Sequence, residues 1–80
     1  MKTITVLIVD DHAILRAGLK MLINSAGGMN VTGEAATGRE AVESFKKNRP
    51  DIVVLDVTLP DMSGLEVARQ IKKICPAAKI

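Results

Sequence analysis

The chain has 80 residues, which bounds it at one domain, and a domain this short buries only about 60 % of its unfolded surface, so its stability margin is narrow. The hydrophobic share of 48 % excludes a disordered chain, and a formal charge of +2 is too mild to imply a nucleic-acid partner. A single cysteine, Cys75, rules out an internal disulfide and fits a reducing cytoplasm. Residues 4–9, "ITVLIV", are β-branched and apolar, the pattern of a strand covered on both faces. The run is too short to span a membrane, and it leads into acid rather than into a small-residue cleavage site, so it is not read as a signal peptide. Asp10 and Asp11 follow at once. A helix then starts near Ala13, with Leu15, Leu19 and Leu22 at helical spacing and Ile14 and Ile23 widening the stripe. Gly27 and Gly28 stop it.

Residues 30–36, "NVTGEAA", read as a second, weaker strand, with a turn at Thr37 and Gly38. A short helix follows in which Ala41, Val42 and Phe45 share a face, and Pro50 ends it. Residues 51–57, "DIVVLDV", are the clearest strand; "TLPDMSG" after it has turn chemistry. Residues 65–74 are helical, with Leu65, Ala68 and Ile71 expected on one side. Pro76 closes this helix, and "AAKI" opens a fourth strand. The order βαβαβα plus a strand stub predicts an α/β fold, a doubly wound parallel sheet with helical crossovers. No internal repeat, linker or low-complexity segment interrupts it.

Asp10 and Asp56 end the first and third strands. In a parallel sheet both ends emerge on one edge, where open α/β sheets bind ligands. Asp10, Asp11 and Asp56 should therefore meet. Two like charges about 4 Å apart repel by roughly 4 kcal/mol at an effective dielectric near 20. A hard divalent cation relieves that repulsion. Mg²⁺ takes one or two carboxylates, keeps several waters and leaves room for a phosphate oxygen. A carboxylate beside it can attack phosphorus. Taken singly, Asp10 or Asp11 reads as a turn or helix N-cap residue and Asp56 as a solvated strand end. Their joint placement favours the metal site.

"VLIVDDHAILRAGL", "GEAATGREAVE" and "DIVVLDVTLPDMSGLEVARQI" together resemble the receiver domain of bacterial two-component response regulators. The "DDH" triplet with Arg16 and Gly18 is most similar to the subfamily with a helix-turn-helix DNA-binding output. The resemblance implies a flavodoxin-like sheet of order 2-1-3-4 and a phosphoacceptor function. Asp56 matches the aspartate that takes a phosphoryl group from a sensor histidine kinase. Asp11 matches the direct Mg²⁺ ligand, for which Mn²⁺ can substitute. Asp10 matches a ligand acting through water, and the backbone carbonyl of Thr58 matches the third protein ligand. Pro60 and Gly64 match residues that shape the following loop. The family also needs a Ser or Thr after strand four and a Lys after strand five, and neither is in this chain. The expectation is therefore that residues 1–80 form the N-terminal two thirds of a receiver domain, ending before strand five and reaching DNA only through an output domain outside them.

On this reading the chain is a cytoplasmic signalling module and not a turnover enzyme. An edge left unpaired beside strand three leads us to expect self-association. Two other functions compete. One is a binding-only receiver that does not switch. The other is an aspartate-based phosphatase, which would carry a second Asp two residues after the nucleophile; Thr58 stands there and argues against it. His12 reads as a helix-start residue or outer neighbour of the acids rather than as a ligand or phosphate acceptor. The basic residues Lys46, Lys47, Arg49, Lys72 and Lys73 suit helix C-termini. Phe45 is the only aromatic, so no base-stacking platform exists. No glycine-rich nucleotide motif appears.

Overall fold

The computed structural model describes residues 3–80. Its elements are β1 (Ile4–Val9), α1 (Ala13–Ser25), β2 (Met29–Ala35), α2 (Gly38–Asn48), β3 (Ile52–Leu55) and α3 (Gly64–Ile74). The strands form one parallel sheet in the order 2-1-3. β1 is apolar from Val6 to Val9 because it is central. Val6, Leu7, Ile8 and Val9 are all essentially buried, two toward each face, as strand alternation requires. The tail "AAKI" makes a single parallel bridge, Lys79 to Ile52, and the Val53 N–H donates to the Lys79 carbonyl at 2.8 Å. That contact lies beside β3, where a fourth strand was expected.

One face of the sheet carries the core. Leu7, Val9 and Val53 meet Ala41, Val42 and Phe45 of α2 and Val67 and Ile71 of α3. Phe45 is 1 % exposed; full burial of such a side chain contributes about 2–3 kcal/mol. The α2 face is as expected. The α3 face is not: its buried residues are Gly64, Val67 and Ile71, while Leu65 is 75 % exposed and Ala68 half-buried. The helix begins at Gly64, one residue earlier than predicted, and that glycine sets which face turns inward.

The opposite face is covered by α1 alone, and here the predicted stripe needs correcting. No residue of α1 is fully buried. Arg16, Leu19, Lys20 and Ile23 are half-buried, whereas Ile14, Leu15 and Leu22 are exposed. Arg16 Nε and Lys20 Nζ both donate to the Glu34 carboxylate on β2, at 3.2 and 3.1 Å. These bonds tie the helix to β2, and among the described residues no element packs on its other apolar flank. Gly27 and Gly28, both at positive φ (78° and 81°), end the helix as expected. β3 is shorter than predicted. Asp51 drops out of the strand, and its carboxylate accepts from the Thr5 N–H and hydroxyl at 2.8 and 3.1 Å.

Candidate functional site

The acids are placed by the ladder itself. Beyond β1, the Asp10 N–H donates to the Ala35 carbonyl at 3.0 Å; beyond β3, the Asp56 N–H donates to the Val9 carbonyl at 3.0 Å. Each bond extends the pairing by one residue, so both carboxylates leave the same carboxyl edge. Asp11 follows Asp10 directly. One ligand atom from each of Asp10, Asp11, His12 and Asp56 lies within 4.8 Å of the others. The expected meeting of the three carboxylates is therefore present, and His12 has joined them.

The group is graded from buried to open. Asp10 is 6 % exposed, while the side chains of Asp11 and Asp56 keep 35 % and 26 % of their surface. That opening leaves room for water and for an incoming oxygen ligand. One Asp10 carboxylate oxygen accepts from the His12 N–H and lies against His12 Nδ1, each at 2.8 Å. The backbone N–H holds the Asp10 carboxyl below the usual range, against the opposing effect of burial, and the His12 ring adds to the lowering. The same hydrogen bond from Asp10, followed by the charge of Asp11, pushes the His12 imidazole up. Behind the site, Arg16 donates to the Asp10 carbonyl at 2.6 Å and so fixes the turn from β1 into α1.

The loop after β3 closes on the site. The Thr58 N–H donates to the Asp56 carboxylate at 3.2 Å, and Thr58 pairs with Ser63 in an antiparallel bridge. Pro60 lies exposed at the loop's outside. The Gly64 N–H donates to the Val57 carbonyl at 2.7 Å. A Cβ on Gly64 would strike the Asp56 carbonyl oxygen and sit 2.8 Å from Val57 Cα. α3 thus starts in contact with the backbone of Asp56, which only glycine permits.

Asp61 was missed by the sequence reading. Its two carboxylate oxygens accept from the Gly38 and Arg39 N–H groups, at 2.8 and 3.0 Å, so this loop caps α2 from across the molecule. Met62 lies over Gly38 in the same place. No local pattern announces a bond between residues so far apart in sequence. Thr37 and Ser63, expected only as turn and loop residues, cap α2 and α3 through a local pattern. Both open an S/T-x-x-E box, and each hydroxyl accepts from the N–H of Glu40 or Glu66.

The Asp61 clamp predicts a pH dependence. The two N–H groups lower the Asp61 carboxyl relative to its ordinary value. A depressed carboxyl stabilises the fold fully above its unfolded value, near 4, and that contribution fades as pH falls through the lower folded value. Thermal melts of the wild-type chain and Asp61→Asn should therefore differ at neutral pH and converge as the pH falls through the lowered folded value. A gap that is constant with pH would show that the clamp does not depend on charge.

Comparison with known proteins agrees with this geometry. Residues 6–80 match the family model of the response regulator receiver domain. The chain is 53 % identical over 75 residues to the chemotaxis protein CheY of Thermotoga maritima, covering 94 % of this chain and 62 % of that protein. It is 38 % identical over 78 residues to the response regulator protein VraR of Staphylococcus aureus, covering 98 % of this chain and 37 % of VraR. A LuxR-family two-component response regulator from an Aurantimonas species superposes with a TM-score of 0.91 at 42 % identity, over 96 % of this chain and 55 % of that one. CheY of Borrelia burgdorferi, in a complex with CheX, BeF3 and Mg²⁺, gives 0.84 at 35 % identity, over 94 % and 57 %. The chain thus spans less than two thirds of the length of these relatives. Among the described residues, no helix is long and apolar enough to cross a membrane. Strand order, acidic edge and sequence likeness converge, and the chain belongs to the response regulator receiver domain family.

Proposed function

We propose that this chain is a phosphoacceptor signalling domain whose acceptor is Asp56. The observation that carries the reading is the convergence of Asp10, Asp11 and Asp56 at one open strand edge. The donor set fits a hard divalent cation. Asp11 and Asp56 would hold Mg²⁺ directly together with the Thr58 carbonyl, and Asp10 through water. The bound ion supplies charge neutralisation of the phosphoryl oxygens. An Asp56 carboxylate oxygen attacks phosphorus while the N–P bond of a kinase phosphohistidine breaks and the imidazole leaves with its electron pair. Arg16 and the Asp10 N–H keep the first acid in place, and the Gly64 contact keeps Asp56 in place. The partner is a sensor histidine kinase and the setting is the cytoplasm. We take residues 1–80 as the N-terminal two thirds of the domain. In a longer protein the switch would act on an output domain, a DNA-binding one by likeness to the LuxR-family regulator.

Incubation with Mg²⁺ and acetyl phosphate tests this. The wild-type chain should slowly gain the mass of one phosphoryl group, labile in base, and Asp56→Asn should gain none. The gain is slow because no Lys of the kind expected after strand five is present to pair with the phosphoryl charge. Mapping of the phosphate to His12 or Ser63 would overturn the assignment. Mg²⁺ binding with no mass gain at any donor concentration would favour the binding-only reading.

The uncovered flank of α1 carries a separate expectation. Ile14, Leu15, Met21 and Leu22 are 90, 52, 74 and 68 % exposed, and Val54, on the same sheet face, is 38 % exposed. Large apolar side chains exposed in this number on one side of the sheet favour association. We propose that the 80-residue chain self-associates through this side, most simply as a two-fold dimer or by exchanging an element. Sedimentation should show mass rising with concentration, and the double substitution Leu15→Glu, Leu22→Glu should return it to monomer. A wild-type chain that stays monomeric throughout would refute this.

A further inference from the structure

We propose that His12 is an additional protein ligand of the acidic site and makes it prefer d-block divalent cations to Mg²⁺ more than the acids alone would. The inference rests on the metal reading above. His12 Nδ1 lies 2.8 Å from an Asp10 oxygen, 3.2 Å from an Asp11 oxygen and 4.0 Å from an Asp56 oxygen. An octahedral ion with bonds near 2.1 Å separates neighbouring ligand atoms by about 3 Å and opposite ones by about 4 Å. The imidazole nitrogen thus stands at ligand spacing from Asp11 and Asp56, the two acids that would hold the ion directly, and the proton it shares with Asp10 in the metal-free chain would leave to solvent when an ion binds.

The ring is held there by the backbone. His12 is the residue before the first turn of α1, in extended conformation, and its N–H is tied to the Asp10 carboxylate. Its side chain is 68 % exposed, so the other ring nitrogen can keep its proton and face water. The chemistry then divides the metals. Mg²⁺ favours oxygen and is served by the carboxylates and water. Imidazole suits Co²⁺, Ni²⁺ and Zn²⁺, whose affinities for nitrogen sites exceed those of the earlier metals. His12 should leave Mg²⁺ affinity nearly unchanged and raise that of Co²⁺ and Ni²⁺.

The test is calorimetric titration of the 80-residue chain, His12→Ala, His12→Gln and Asp11→Ala with Mg²⁺, Co²⁺ and Ni²⁺. Loss of the imidazole in either His12 variant should weaken Co²⁺ and Ni²⁺ by roughly tenfold or more and leave Mg²⁺ almost as it was. Glutamine keeps a hydrogen-bond donor beside Asp10, so a purely positional role would be rescued by it and a ligand role would not. In ¹⁵N spectra of the wild-type chain, diamagnetic Zn²⁺ should shift Nδ1 rather than Nε2. Unchanged Co²⁺ and Ni²⁺ affinity in both His12 variants, with Mg²⁺ still lost in Asp11→Ala, would overturn the inference and leave the acidic site standing. Ni²⁺ binding that survives Asp11→Ala would mark an isolated surface histidine and overturn it as well. Failure of the wild-type chain to bind any of the three ions would remove the site reading itself.

Discussion

Asp11→Ala is expected to take Mg²⁺ affinity below detection and to leave the metal-free fold at least as stable as the wild-type chain. The two effects separate because Asp11 serves the fold very little. Its carboxylate is part-exposed and meets the His12 ring at 3.2 Å. It accepts from no N–H of the helix that follows. It also stands in a group of acids that repel one another. At about 4 Å and an effective dielectric near 20, one such pair costs roughly 4 kcal/mol before solvent screening, and exposure reduces that to a small part. Removing Asp11 relieves this repulsion while deleting the proposed direct ligand. Asp10→Ala should behave differently although it is the neighbouring residue. Asp10 is buried and its carboxylate holds the His12 N–H. Its loss leaves a helix-start donor without its partner, at about 1 kcal/mol or more. Urea titrations with EDTA and with Mg²⁺ distinguish the outcomes. Mg²⁺ should raise the midpoint of the wild-type chain and not that of Asp11→Ala. Equal Mg²⁺ stabilisation of the two would exclude Asp11 as a ligand.

The difference between Asp10 and Asp11 also shows what could be read before folding. Both acids were legible as a strand-end pair, because an apolar β-branched run ending in acid has few other readings. Asp56 was legible for the same reason. Alternation of strands and helices predicted a parallel sheet, and its order came with the family resemblance. What escaped was set by long-range contact. Leu65 was assigned inward because it fits a helical stripe with Ala68 and Ile71. The real face is chosen by Gly64, whose closeness to Asp56 no periodicity reveals. Leu15 and Leu22 fit an inward stripe in the same way, yet among the described residues no element packs on that flank of α1. Asp61 looked like an ordinary loop residue until the start of α2 was placed beside it. His12 stands where it was expected, at the start of α1 and against Asp10.

Gly64 and Gly18 should respond to the same substitution with opposite signs. Each carries no side chain and each lies in a helix. A Cβ on Gly64 meets backbone, the Asp56 carbonyl oxygen and Val57 Cα, neither of which can swing aside. Relief requires α3 to lift from the end of β3, which also disturbs the Gly64 N–H bond to the Val57 carbonyl and the core contacts of Val67 and Ile71. Overpacking of this sort costs about 2–3 kcal/mol. A domain of this size has a total stability of roughly 4–12 kcal/mol, so Gly64→Ala should lower the melting temperature by about 10–20 °C. It should also weaken Mg²⁺ binding, because Asp56 is carried by the backbone that moves. Gly18 lies mid-way along α1, where an added Cβ finds nothing within 4 Å. There the substitution only restricts the unfolded chain and improves helix propensity, a gain of about 0.5–1 kcal/mol. Differential scanning calorimetry of Gly64→Ala, Gly18→Ala and the double variant, with and without Mg²⁺, reads both effects. A Gly64→Ala chain that melts with the wild type would mean that α3 shifts freely, and that the close approach to Asp56 plays no part in building the site.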